Sequence, residues 1–160
     1  LALLFPRQPY PVTRASTPRF FASRAGRMPA GAVALVAPFV VPPFSVDPMG
    51  WQAASGMRFR MPEGYFIGPD RSGQPKFGAR PTTTSSLMLQ IEAGSRPPGV
   101  SAGERSEVLG QLSRWRVTAV IVGPMRNRAA MVRFFEGVLG RQPETVGQVS
   151  LWSDVRGAAP

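Results

Sequence analysis

One hundred and sixty residues weighing 17.3 kDa, 43% of them hydrophobic, are enough for one domain with a real core and too few for a multidomain enzyme. The chain has no His and no Cys, which excludes disulfides, thiolate-held zinc or iron–sulfur clusters, a thiol nucleophile and a Ser-His-Asp triad. Nineteen Lys and Arg against nine Asp and Glu leave a net charge of +10, which nominates anionic partners.

Residues 1–5 form a short apolar stub ended by Pro6, which fits the exit of a membrane helix, a signal-peptide remnant or a plain tail. Residues 6–16 read as an extended Pro-rich linker, and the first 46 residues carry five Arg and no acid. Thr17-Pro18 has the form of an N-cap followed by proline at the first helical position, so a short helix is expected over residues 18–23, carrying Phe20 and Phe21. Ala32–Ala37 is an apolar run of strand length. The uncharged stretch 28–46 has the length of a membrane span, but Pro29, Pro38, Pro42 and Pro43 would strip its hydrogen-bond ladder inside a bilayer.

Residues 49–56 are expected to make one or two helical turns. Residues 57–61 alternate polar and apolar as a strand does, and residues 64–69 continue toward a turn-rich, charged stretch, 69–81, read as a mobile loop. An amphipathic helix over residues 84–93 stops at Gly94. Ser101 and Glu104 have capping-box spacing and open a helix that runs to about Trp115. Residues 117–123 are a β-branched run of the kind covered on both faces, residues 127–139 are helical up to Gly140, and residues 146–152 form the last strand. The fold expected is therefore α/β: a small mixed sheet of four or five strands flanked by helices, one domain over residues 17–156, with an extended Pro-rich arm before it and a tail at 157–160. How the strands on either side of the 127–139 helix pair is left open.

Gly123-Pro-Met-Arg-Asn-Arg128 follows a strand and opens a helix, where an anion-binding loop would sit, with Arg126 and Arg128 as candidate anion holders. Pro124 removes a backbone donor and only one glycine is present, so a plain turn with solvated arginines competes. Glu63 and Asp70 are the one pair of acids near an aromatic-rich stretch; the competing reading makes them exposed loop acids paired with Arg60 or Arg71. Ser55 and Ser106 lack a base. Arg58-Phe-Arg60 and Arg114-Trp-Arg116 interleave cations with aromatics as a single-strand nucleic-acid platform does, although alternation along a strand would bury Phe59 and solvate its flanks. Core packing explains Met57, Phe59 and Met61, whereas the polar handles of Trp51, Gln52 and Tyr65, beside glycines, point to a carbohydrate- or partner-facing surface. The binding candidates are thus Trp51, Gln52, Arg58, Arg60, Glu63, Tyr65 and Asp70, with Arg126 and Arg128 for an anion; no catalytic group, metal ligand or cofactor is nominated.

Pro18-Arg-Phe-Phe21, residues 33–38, residues 51–66 above all, and residues 115–124 with 146–152 together resemble the C-terminal extracytoplasmic region of actinobacterial polytopic membrane proteins described as glycosyltransferase-like. The resemblance spans roughly residues 17–153. It implies a non-catalytic accessory domain at the outer face of the cell membrane, which binds acceptor or glycan or docks on the membrane portion of its own parent, because in such transferases the catalytic carboxylate sits on an early loop of the membrane part. It also implies that the basic N-terminal arm lies beside anionic headgroups. The residues leave two rivals, a basic nucleic-acid-binding module, which they disfavour, and a stand-alone carbohydrate-binding module.

Overall fold

A computed structural model describes residues 16–23, 28–40, 46–70, 72–78 and 80–155. The expected stub, most of the linker and the tail lie outside these residues. In chain order the elements are α1 (Arg19–Ser23), β1 (Ala32–Ala37), α2 (Asp47–Ala54), β2 (Phe59–Arg60), β3 (Ile67–Pro69), β4 (Pro75–Phe77), α3 (Thr83–Ala93), α4 (Ala102–Arg114), β5 (Ala119–Val122), α5 (Arg128–Leu139), β6 (Glu144–Val146) and β7 (Val149–Ser153).

Five strands form a mixed sheet in the order β2-β1-β5-β7-β6, with β1 parallel to β2 and β5, and β7 antiparallel to β5 and β6. Side chains alternate across the two faces, and both faces are covered. Leu35, Ala37, Val120, Val122 and Trp152 meet α3, α4 and α5 through Met88, Ile91, Val108, Leu112, Met131, Phe134 and Phe135. Ala34, Val36, Ala119, Ile121 and Val149 meet Phe20 and Phe21 of α1 and Trp51 of α2. A near-continuous apolar run is what a doubly covered strand requires, and β1 and β5 carry one each.

Local chemistry sets the helix limits. The side chains of Ser101 and Glu104 each accept the other's backbone N–H at the start of α4, the capping box expected there. Thr82 and Ser85 make a second box at the start of α3, one residue ahead of the expected start. Gly94 and Gly140 close α3 and α5 in the left-handed conformation that glycine adopts without a Cβ penalty.

Three expectations are corrected. Residues 57–61 give only the two-residue β2: Met57 takes a left-handed turn after α2, with φ 56°, and is exposed rather than packed in the core. The stretch 69–81 is not a loop throughout, because β3 and β4 form an antiparallel hairpin across it. Residues 146–152 are not one strand but two, β6 and β7 with Gly147 and Gln148 between them, and Val146 pairs with Val149. No helix among the described residues is long and apolar enough to cross a membrane.

Candidate functional site

Trp51 is the first candidate to be relocated. Helix α2 turns it inward to 2% exposure, where its ring stacks on Phe21 with centroids 5.0 Å apart and its Nε1 donates to the Ser16 carbonyl at 2.9 Å. The ring lies over the end of β5: a Cβ added to Gly123 would stand 2.4 Å from it, so glycine is required there. The crevice beyond the carboxyl ends of parallel strands is where an open α/β sheet usually holds a ligand. At the end of β5 the indole occupies it. Trp51 is thus a core residue rather than a partner-facing one.

The turn after β5 is likewise committed. The Gly123 N–H donates to the Ala37 carbonyl, Arg128 donates from Nη2 to the Ser150 hydroxyl at 2.8 Å, and Asn127 donates from Nδ2 to the Glu92 carbonyl. Asn127 itself stands in the left-handed region with no side-chain cap. Arg126 is exposed, and Arg128 is partly buried against β7 rather than solvated.

Glu63 is not an exposed loop acid. At 4% exposure it accepts the Val36 N–H at 3.1 Å with Oε1, while Oε2 is buried without a partner. Strand β2 pairs with Ala32 and Val33 and then ends, so the Glu63 carboxyl takes over the ladder at a β1 N–H that β2 does not reach. Burial pushes its pKa well above the ordinary 4.5, only partly offset by hydrogen bonds from the backbone of Val36 and of Glu63 itself. Asp70 does something different. Its Oδ1 accepts the Ser72 hydroxyl and the Ser72 and Gln74 N–H groups, which shapes the hairpin turn and, led by the Ser72 hydroxyl, lowers its pKa. The two acids considered together in the sequence therefore serve two separate backbone tasks.

Gln52 donates to the Phe59 carbonyl and holds β2 on α2, while Arg58 and Arg60 are exposed on either side of buried Phe59, with Arg60 donating to the Gly31 carbonyl. Tyr65 alone of the nominated aromatics is at the surface. It belongs to a group of which only Tyr65 was a candidate from the sequence: Tyr65, Phe66, Ile67 and Phe77 are 51%, 48%, 64% and 60% exposed. Ile67 and Phe77 are cross-strand partners, which places them on one face, and the Tyr65 and Phe77 rings lie 6.1 Å apart. Phe66, Gly68 and Lys76 take the other face, and with Arg80 and the half-buried Trp115 they line a groove of about 350 Å³. The signal available in the sequence was the apolar triplet between Gly64 and Gly68, followed at turn distance by Lys76-Phe77.

No family model, curated protein or solved structure matches the chain.

Proposed function

We propose that this chain is a non-catalytic accessory domain that docks through the β3–β4 hairpin, in the setting its sequence resemblance implies: the extracytoplasmic face of a cell membrane, next to the membrane portion of a glycosyltransferase-like parent. The observation that carries the reading is the hairpin itself, a two-stranded sheet outside the main sheet with four large apolar side chains turned to solvent and Lys76 with Arg80 beside them. A hairpin of this size gains little from water-exposed aromatics, so its composition fits a partner better than it fits the fold. Reading the domain as free of chemistry draws on the acids nearby: Glu63 is used as a backbone acceptor and Asp70 as a turn cap. Trp51 in the core gives no support to glycan stacking at that ring. The test is to incubate the 160-residue chain with glycosides and with lipid-phosphate sugar donors. No turnover is expected, and turnover that disappears in Glu63→Gln overturns the reading.

A further inference from the structure

Resting on the docking role above, we infer that the β3–β4 hairpin seats on an anionic lipid bilayer surface. The hairpin meets the surface edge-on, so that both faces of its two-stranded sheet reach the headgroup layer and carry the two halves of that recognition. Tyr65, Ile67 and Phe77 form an apolar face with two aromatic rings and a branched aliphatic side chain, the composition of a segment that enters the headgroup–acyl boundary. The reverse face bears Lys76, which with Arg80 opens on the groove floored by Phe66 and Trp115, and no carboxylate is among the described residues that line it. Asp70 is the one acid on the hairpin. Its charge is engaged by the Ser72 hydroxyl and two backbone N–H groups, with Arg80 close enough to lower its pKa further. Between Arg58 and Arg80 the chain holds five cations and two acids, and Glu63 is buried away from the surface, so this stretch carries an excess of positive charge. A stacking platform for single-stranded nucleic acid is less well matched: the Tyr65 and Phe77 rings are inclined by 47° to each other, and the branched Ile67 shares their face.

The experiment is vesicle flotation of the full chain on phosphatidylcholine alone and with roughly a quarter of phosphatidylglycerol. Binding is expected only to the anionic vesicles, falling steeply with salt, and about tenfold weaker in Ile67→Ser/Phe77→Ser and in Lys76→Gln/Arg80→Gln. Arg133→Gln, which removes a charge from an exposed position on α5, is expected to change it by less than about threefold. Because the chain has no Cys, Gln74→Cys, which keeps the backbone bonds of the turn, carrying an environment-sensitive fluorophore gives a second readout at the hairpin tip: its emission shifts to the blue on anionic vesicles, while the same label at Ser106→Cys does not shift. Absence of vesicle binding, binding that both hairpin variants retain, or saturable binding to a single-stranded oligonucleotide with none to vesicles overturns the assignment to lipid. Those outcomes leave the docking role standing, whereas turnover by the chain removes the docking role itself.

Discussion

At the scale of single residues, polar atoms decide where the side chains of the aromatic-rich stretch go. Trp51 looked like a surface group because its indole N–H needs a partner and glycines surround it; the partner is the Ser16 carbonyl, and the glycine that matters is Gly123, 72 positions along the chain. Neither relation is written in local spacing. Glu63 is a similar case, since the need it meets, the Val36 N–H left beyond the end of β2, exists only once the strands have paired. Its raised pKa has a sign that can be checked. Between the ordinary 4.5 and the raised value, the unfolded chain has lost the proton and the folded one still holds it, so stability declines as pH rises through that window. The chain has no His, so no imidazole titrates over the same range. Urea unfolding of the parent from pH 5 to 9 is expected to show this decline, up to about 1.4 kcal/mol per pH unit. Glu63→Gln, which keeps the acceptor for Val36, flattens it. Equal slopes in the two proteins would remove the buried carboxyl as its source.

At the scale of elements, what was legible had a period or a cap. Helices α3, α4 and α5 carry apolar residues at helical spacing between recognisable starts and glycine stops, and β1 and β5 are apolar runs between breakers, so all five were placed to within a few residues. The hairpins were not legible, because β3, β4 and β6 have three residues each, too few to show alternation, and the proline or glycine that bounds β3 and β4 also signals a loop. What makes β3–β4 a hairpin is the Asp70 side chain gathering Ser72 and Gln74 in a turn closed by Gly73 at φ 85°. The capping box of α4 has a further partner in Arg96, whose guanidinium holds the Glu104 carboxyl down to about 2. Ser101→Ala removes the hydroxyl that accepts the Glu104 N–H and donates to its carboxylate. A loss of about 1 kcal/mol in chemical unfolding is expected, with the fold unchanged by circular dichroism. An unchanged midpoint would mean that Arg96 alone holds that end of the helix.

For the whole molecule, charge and burial separate into different regions. The five-stranded sheet is covered on both faces, and the end of β5 is closed by Trp51, so the interior uses its aromatic residues for packing. The surface differs: among the described residues the large exposed apolar side chains other than Val46 and Met57 collect on one hairpin, in a chain whose net charge is +10. The excess of arginine was plain from composition; its pairing with an exposed aromatic hairpin was not, because exposure follows from where β3–β4 lies relative to the main sheet. On the docking role proposed above, the apolar side chains of this hairpin serve a partner and not the fold. The most direct measurement is the unfolding free energy of Ile67→Ser/Phe77→Ser by urea titration. If the claim holds, the double variant stays within about 1 kcal/mol of the parent, as exposed positions do. A loss above about 3 kcal/mol, the scale of removing two buried side chains, would contradict it.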